Sequence, residues 1–518
     1  MRSGGSGSAS ENNGGDVGGD GSSPELRETL LAQDVDGKKI KKQEDLEEIR
    51  SVKEFMRLAA EENRRLWYLA GPAIFTSLAQ YSLGAVTQVF AGHLTTLELD
   101  AVSTENMVIA GLALGIMLGM GSALETLCGQ AYGAKQLHMM GVYLQRSWLI
   151  LTTMSVVLLP IYLFATPILR FFHQDEAIAV LAGRFSLYMI PQLFAYALNF
   201  PIQKFLQAQS KVMAMAVISA ACLVFHVAFT WLLLGPLGMG LVGLAVALNV
   251  SWWLVVLAQL GYIVMGNCPG AWNGFDWLAF TDLFGFWRLS IGSAIMLCLE
   301  FWFYMFLIVI VGNLPNAQVA VAAVSICILT GIGELIMVFF GFNAAISVRV
   351  SNELGAGRPR AAKLAIATVL MSSVAIGVAF FAAVLLLRDV YGVPFTDSPE
   401  VVRAVASLGV VFAFSLLLNS IQPVLSGVAV GAGWQWLVAY INLGCYYCIG
   451  IPVGYAIAFP LGLGVQGMWG GMLTGVGLQT VILVVITLRT NWDKEASQAY
   501  ARIQHWGGSV AKIDSESI

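Results

Sequence analysis

The stretch SAIMLCLEFWFYMFLIVIV, residues 293–311, decides the fold class of this chain, because it is an almost unbroken apolar run around one acidic residue, Glu300. A helix needs about 20 apolar residues to cross the hydrocarbon core of a bilayer. Similar runs recur on both sides, and residues 66–490 contain only fourteen basic and fourteen acidic side chains. The chain is therefore predicted to be an all-α membrane protein with many spans.

The composition of the whole chain excludes several other classes of protein. Of its 518 residues 57% are hydrophobic and 12% are charged, whereas soluble proteins carry about 25% charged residues. A soluble enzyme, a nucleic-acid binder and a disulfide-stapled secreted domain are excluded, and continuous apolar runs do not fit a transmembrane β-barrel. Since there is no P-loop, metal-ligand cluster or nucleophile elbow, we predict no enzyme activity, no metal and no cofactor.

Twelve apolar runs follow one another from Leu66. The predicted spans are 66–91, 99–124, 142–167, 177–200, 212–234, 239–265, 288–311, 317–346, 362–388, 401–427, 434–458 and 463–489. Residues 1–65 are polar and are expected to form a disordered cytosolic leader with a short polar helix on the membrane surface, and residues 490–518 a polar tail.

The orientation in the membrane follows from the positive charges of the short loops. If the N-terminus is cytosolic, nine basic residues lie in inner loops and four in outer loops. The inner nine are Lys135, Arg146, Lys204, Lys211, Arg288, Arg349, Arg358, Arg360 and Lys363. Both termini are therefore predicted to be cytosolic.

The two halves of the membrane region repeat each other. GPAI at 71–74 matches GSAI at 292–295, PLGMGLVG at 236–243 matches PLGLGVQG at 460–467, and three shorter matches keep nearly the same offset. Six spans per half give both halves the same topology, a plan known from secondary transporters. We predict an N-lobe at 66–266, a cytosolic inter-lobe loop at 267–287 and a C-lobe at 288–489.

Two intramembrane acids are candidate proton-coupling residues. Glu300 lies near the middle of span 7 with no Lys or Arg within ten residues, and Glu334 lies near mid-depth in span 8. A carboxylate at mid-membrane is costly, about 2.5–3.5 kcal/mol on insertion scales, so it faces a cavity, pairs or takes up a proton. A permanently protonated structural Glu300 is the alternative. Glu334 is interpreted as a second titrating group or a hydrogen-bond partner of Glu300.

Amides and aromatic side chains within the spans are candidate walls of a solute cavity, because amides inside a bilayer must find partners or line water. The chosen residues are Gln80, Tyr81, Asn199, Tyr304, Asn343, Asn419 and Gln422. Pro423 follows Gln422 directly and is expected to free a backbone carbonyl and bend the span 10 helix beside these amides. Interhelical hydrogen bonds and packing are the alternative roles.

Three further acids, Glu105, Glu125 and Glu353, are expected near span ends, where a carboxylate reaches water. Glu125 and Glu353 are expected to cap or lock the cytosolic ends of helices. His226 in span 5 is interpreted as a hydrogen-bonded core residue.

Six strings resemble the plant multidrug and toxic compound extrusion (MATE) transporters over about residues 50–510. They are CGQAYGAKQ (128–136), PIQKFLQAQSK (201–211), MLCLEFW (296–302), AAISVRVSNELGAGRPR (344–360), QPVLSGVAVGAGWQ (422–435) and TNWDKEA (490–496). Within that family the chain is most similar to the branch that includes plant vacuolar flavonoid-type carriers. The resemblance implies twelve helices in two six-helix lobes around a V-shaped central cleft, and favours the vacuolar membrane over the plasma membrane.

The resemblance also implies exchange of H+ for organic solutes, with the family's C-lobe carboxylate falling on Glu300. Several plant members have an acid in span 10 where this chain has Asn419, and Glu334 is our own candidate to replace it. The N-lobe aspartate of some prokaryotic members has no counterpart, since span 1 carries Gln80 and Gln88. Proton coupling is therefore expected to run through the C-lobe.

The leading hypothesis is a monomeric proton antiporter that exports small organic solutes, with H+ and the lipid bilayer as its other partners and no nucleic acid. The alternative is a passive channel or uniporter for chloride or an organic anion such as abscisic acid. Four basic residues at the cytosolic mouth, Arg349, Arg358, Arg360 and Lys363, support the alternative, as do the missing acid in span 10 and the channel-like roles of some members of the family that the chain resembles. The substrate itself stays open between flavonoid glycosides, alkaloids, a carboxylate hormone and chloride.

Overall fold

The computed structural model describes residues 45–172, 174–311, 317–330, 336–396 and 398–507. Nearly all of these residues are helical, and no β-strand occurs in the described ranges. The apolar runs form helices because lipid offers no hydrogen-bond partners to the backbone. A helix pairs its backbone N–H and C=O groups within the segment itself.

Thirteen long helical segments account for most of the described chain, and three short ones lie between them at Ala165–Phe171, Trp277–Phe280 and Val393–Phe395. The first half contains α1 (Val52–Ala91), α2 (Thr96–Gly133), α3 (Leu137–Leu163), α4 (Glu176–Tyr188 with Ile190–Ala208), α5 (Val212–Leu234) and α6 (Gly240–Asn267). The second half contains α7 (Leu283–Val311), α8 (Ala317–Thr330 with Ile336–Gly355), α9 (Pro359–Leu387), α10 (Pro399–Asn419 with Gln422–Ala432), α11 (Gln435–Ala458), α12 (Gly464–Arg489) and α13 (Trp492–Gly507).

The helices follow the predicted spans in order. Within the described residues, nine helices are long and apolar enough to cross a membrane, and the two parts of α4, bent by 51°, make a tenth. The remaining two predicted spans correspond to α1, whose first part is charged, and to α8, whose middle lies outside the described residues.

The first helix starts earlier than its apolar run. α1 begins at Val52, where the Ser51 hydroxyl accepts a hydrogen bond from the Lys53 backbone N–H, and it continues without a break into the apolar part. Hydropathy locates Leu66 as the start of the span, but no Pro or Gly interrupts residues 52–65. The separate surface helix that we expected there is therefore the beginning of span 1.

The polar C-terminal tail forms a helix that the sequence analysis missed. α13 buries Trp492, Ala496, Ala499 and Ile503, which lie on one helical face. Its apolar residues pack against α8 and α9. A hydropathy average hides such a stripe, whereas the spacing of its apolar residues reveals it.

The two halves meet along small residues. α2 packs against α7 and α1 packs against α8. At Gly119 of α2 an added Cβ would lie 2.6 Å from the Cα of Ala294 in α7. The glycine thus lets the two helix backbones approach each other across the lobe interface.

Candidate solute and proton site

Glu300 lies well inside α7, about 25 Å along the helix from Leu283 at 1.5 Å per residue. Its side chain is half-buried. The Gln422 side chain of α10 lies beside the carboxyl group and its Nε2 donates to the Ser426 hydroxyl at 3.1 Å, whereas Oε2 of Glu300 is buried without a hydrogen-bond partner among the described residues. No Lys or Arg in the described part of the chain forms an ion pair with it.

Tyr304 lies one turn further along α7 on the same face. Its hydroxyl donates a hydrogen bond to Oδ1 of Asn419, at 3.2 Å, and it interacts electrostatically with Glu300. Asn419 and Gln422 are both buried. Four of the predicted site residues are therefore brought together between α7 and α10.

Span 10, which was expected to bend at Pro423, is interrupted at this position. The first part of α10 ends at Asn419 and the second begins at Gln422, with Pro423 in its first turn. The carbonyl of Ser420, left without a helical partner, accepts a hydrogen bond from the Ser373 hydroxyl of α9 at 2.6 Å. The break lets Asn419 and Gln422 both reach α7 residues.

Asn343 supports the same break from α8. Its Nδ2 donates a hydrogen bond to the Pro423 carbonyl at 2.6 Å, and the side chain is half-buried. Asn343 is thus bonded to the backbone of α10 in this structure. Glu334, the second predicted acid, lies outside the described residues.

A layer of side chains behind Glu300 was missed by the sequence analysis. The Tyr446 hydroxyl of α11 donates to Oε1 of Gln479 at 2.6 Å, and Nε2 of Gln479 donates to Oδ1 of Asn442 at 2.6 Å. The Tyr446 ring stacks on Phe303 at 4.4 Å between centroids, and Tyr446 interacts electrostatically with Glu300. No sequence spacing links α7, α11 and α12, so only the structure reveals this layer.

The N-lobe candidates do not join this cluster. Gln203 of α4 donates to Oε1 of Gln80 in α1 at 2.8 Å, and Nε2 of Gln80 is buried without a partner among the described residues. Asn199 is 0% exposed and accepts a hydrogen bond from Gln259 of α6 at 3.4 Å. Tyr81 is 43% exposed. Gln80 and Asn199 therefore bond across helices of the N-lobe.

Charged side chains hold α1, in the N-lobe half, to α8, in the C-lobe half. Arg349 of α8 pairs with Glu62 of α1 at 2.7 Å and with Glu353 at 2.8 Å, and Glu353 also pairs with Arg358 at 2.6 Å. On α2, Glu125 pairs with Lys204 at 2.7 Å. Glu353 thus locks the end of α8, as expected, whereas Glu125 lies within α2, eight residues before its end at Gly133.

The α13 helix reinforces this contact between halves. The Arg502 guanidinium donates to Oε1 of Gln130 in α2 at 3.3 Å and to the Ala432 carbonyl in α10 at 2.8 Å. Gln130 also donates to the Gly431 carbonyl at 3.2 Å. One arginine of the tail therefore bridges the two halves.

The expectation that three acids reach water at span ends is wrong. Glu105 is 0% exposed, and Glu125 and Glu353 are also buried. The last two are neutralised by basic partners, so burial is compatible with their charge. His226, by contrast, is confirmed as a hydrogen-bonded core residue, since it contacts the hydroxyls of Thr87 at 3.1 Å and Ser251 at 2.8 Å.

Comparison with protein families gives a match in each half. The MatE family model matches residues 72–232 and 293–456. Protein DETOXIFICATION 33 of Arabidopsis thaliana is 58% identical over 450 residues, which cover 87% of this chain and 93% of the relative. Protein DETOXIFICATION 31 of the same plant is 56% identical over 471 residues, covering 91% of this chain and 90% of the relative.

Solved structures agree with this match. The crystal structure of the eukaryotic MATE transporter AtDTX14 is similar with a TM-score of 0.81 at 34% identity, covering 86% of this chain and 99% of that one. A MATE transporter of Vibrio cholerae, VcmN, is similar in fold with a TM-score of 0.75 at 16% identity, covering 84% and 99%. The predicted architecture of twelve membrane helices in two lobes is thereby confirmed.

Proposed function

We propose, from the premise that the chain belongs to the MatE family of membrane transporters, that it exports small organic solutes from the cytosol in exchange for protons. The observation that carries the proposal is the state of Glu300. It is half-buried inside a membrane helix, lies beside the Gln422 amide, and is free of any basic partner among the described residues. An acid in that setting gains and loses a proton more readily than one held by an ion pair.

The surroundings of Glu300 suit an uncharged or weakly charged ring-bearing solute. Tyr304, Asn419 and Gln422 supply a phenol and two amides, and no fixed charge other than Glu300 lies in the described cluster. A solute that hydrogen-bonds these groups competes with the protonated carboxyl for the same partners. Antiport requires such competition, because solute and proton must favour opposite states of the transporter.

The basic residues at the predicted cytosolic mouth support a passive anion pathway less strongly than the sequence alone suggests. Arg349 and Arg358 are paired with Glu62 and Glu353. Arg360 donates to the Leu46 carbonyl, and its backbone N–H bonds Asp45. Arg360 and Lys363 form no ion pair within the described residues, so two of the four positive charges at the mouth are neutralised by acidic partners and two are not.

Vesicle transport tests the proposal. Full-length protein is reconstituted into proteoliposomes with an acidic lumen, and uptake of a quercetin glucoside, berberine, abscisic acid and chloride is followed. We expect uptake of at least one organic probe that stops when the pH gradient is collapsed. The Glu300→Gln variant should lose this uptake, whereas Glu400→Gln, which removes an exposed carboxyl from α10, should keep it.

Two results would contradict the proposal. Undiminished pH-driven uptake by the Glu300→Gln variant would remove Glu300 from the coupling step. Chloride or abscisate currents that follow the anion gradient without any pH gradient would favour the passive pathway instead.

The site of action is part of the same proposal. We infer that the protein lies in the vacuolar membrane with both termini in the cytosol, as the positive loops and the resemblance indicate. A fluorescent fusion at either terminus, combined with protease protection of isolated vacuoles, tests both points. Protected termini would reverse the orientation, and plasma-membrane fluorescence would reverse the location.

A further inference from the structure

A stripe of polar side chains runs along the second part of α4. Gln192, Tyr196, Asn199, Gln203 and Gln207 are spaced by four, three, four and four residues, so they share one helical face. All five are buried in the N-lobe. Oε1 of Gln192, Nδ2 of Asn199 and Oε1 of Gln207 have no hydrogen-bond partner among the described residues.

Glu105 lies beside one member of this stripe. It is 0% exposed, and neither of its carboxylate oxygens has a hydrogen-bond partner in the described chain. It interacts electrostatically with Tyr162 of α3 and with Tyr196 of the stripe. The Tyr162 hydroxyl is likewise buried without a described partner.

The backbone at Glu105 is also unusual. Residues Glu105–Ala110 form a π-helical turn inside α2. Such turns are rare and appear frequently at functional sites, because the extra residue re-aims side chains within a helix. The π turn and the unpartnered carboxyl are independent features that point to the same position.

The charged and titratable groups around Glu105 do not neutralise it. Tyr162 comes from α3 and Tyr196 from α4. The first part of α4 carries Arg184, which is exposed, and Glu176, which pairs with Arg170. His93, beyond the end of α1, is exposed and bonds the Val89 carbonyl. A buried carboxylate without a basic partner is far costlier than the neutral acid.

We propose that Glu105 is a second proton-binding carboxyl, inside the N-lobe, and that the polar stripe of α4 connects it with Gln80. The inference deepens the proposed antiport and rests on it for its role in transport. The connection begins at Tyr196, passes Asn199 and ends at Gln203, whose amide bonds Gln80 at 2.8 Å. Tyr196 and Gln203 are about 10 Å apart along the helix.

The unpartnered atoms give this connection its chemistry. Buried polar atoms in proteins bond ordered water where no protein group is available. Donor and acceptor atoms spaced along one helical face therefore suit a short chain of water molecules that carries a proton. The carboxyl O–H bond of Glu105 breaks, and the proton passes along the water chain and is released near Gln80. A proton that travels along the same water chain in the opposite direction reprotonates the carboxylate.

Infrared spectroscopy of the purified full-length protein tests the proton site without any transport. The C=O stretch of a protonated carboxyl is separate from the bands of ionised carboxylates. We compare the Glu300→Gln variant, the double variant Glu300→Gln with Glu105→Gln, and a control that combines Glu300→Gln with Asp100→Asn, since Asp100 is exposed on the same helix. The double variant should lose one protonated-carboxyl band at neutral pH, and the control should keep it.

The pH dependence of that band separates a coupling site from a structural acid. In the Glu300→Gln protein the band should diminish as the pH is raised. A band that survives at all accessible pH values, or one that the Glu105 substitution leaves in place, would overturn the proposal. If the double variant does not fold, Tyr162→Phe serves instead, because removing the hydroxyl should shift the frequency of the same band, and an unshifted band would overturn the assignment.

Transport and exchange measurements test the connection. Glu105→Gln should lower pH-driven solute uptake about tenfold, within the range of coupling between two sites, and undiminished uptake would overturn its role in coupling. Asn199→Leu should keep the band but slow its deuterium exchange several-fold, and unchanged exchange would contradict the path. If the proposed antiport is wrong, the unsubstituted protein should take up solute independently of pH. The infrared band of Glu105 would not change in that case, so the two failures can be told apart.

Discussion

Among the described residues, each lobe contains one intramembrane acid without a basic partner, and the two acids, Glu300 and Glu105, are held very differently. Glu300 in the C-lobe half is half-buried and lies beside Gln422 and Tyr304. Glu105 in the N-lobe half is 0% exposed and bonds no described residue. In the proposed mechanism the half-buried acid exchanges its proton for a solute directly, whereas the fully buried acid needs a path of its own.

The largest effect that distinguishes the two acids should come from reversing their charge. Glu105→Lys places a buried ammonium group where the described chain offers no partner. Removing one member of a buried ion pair also leaves an unpaired buried charge, and it lowers the free energy of unfolding by about 3–5 kcal/mol. The long side chain of Glu300→Lys can keep its charge at the exposed part of the site. We expect Glu105→Lys to lose folded protein and Glu300→Lys to remain folded but inactive.

Size-exclusion profiles and thermal unfolding in detergent measure this difference, with Asp100→Lys as the exposed control on α2. Equal stability of the Glu105→Lys and Glu300→Lys variants would show that the two environments do not differ as described.

A smaller effect compares two buried tyrosines. The Tyr446 hydroxyl bonds Gln479 in the C-lobe half, whereas the Tyr143 hydroxyl in the N-lobe half has no hydrogen-bond partner among the described residues. Tyr446→Phe leaves the Gln479 oxygen unpaired and should lower the free energy of unfolding by about 1–3 kcal/mol. Tyr143→Phe removes no described hydrogen bond and should change it by less than about 0.5 kcal/mol.

Melting temperatures of the two variants and of the parent protein check this prediction in one experiment. The description of the layer behind Glu300 fails if Tyr143→Phe is the more damaging change. Because both side chains are fully buried and both substitutions remove one oxygen, the pair is matched in size and chemistry.

The sequence predicts the fold closely because hydropathy decides which segments enter the bilayer. Glu300 also stands out in the sequence, since a lone acid in an apolar run is visible without any contact information. Tyr446 and Gln479 do not stand out, because their role depends on how α11 and α12 are rotated toward α7. Rotation of a nearly uniformly apolar helix leaves no clear periodicity in its sequence.

Glu105 illustrates a different reason for error. A span that starts at residue 99 places Glu105 near its end, where a carboxylate reaches water. In the structure α2 begins at Thr96 and continues to Gly133. Glu105 lies about 14 Å along that helix and is covered by residues of α3 and α4. Neighbouring helices, not distance from a helix end, decide whether a side chain reaches water.

The central claim is that Glu300 exchanges its proton for the solute, and binding measured against pH tests it most directly. Binding of a quercetin glucoside to the purified full-length protein, followed by tryptophan fluorescence, should weaken about tenfold on acidification, as expected for two coupled sites. The Glu300→Gln variant should lose most of this pH dependence. If that variant keeps the pH dependence of the parent protein, Glu300 is not the acid that solute and proton share.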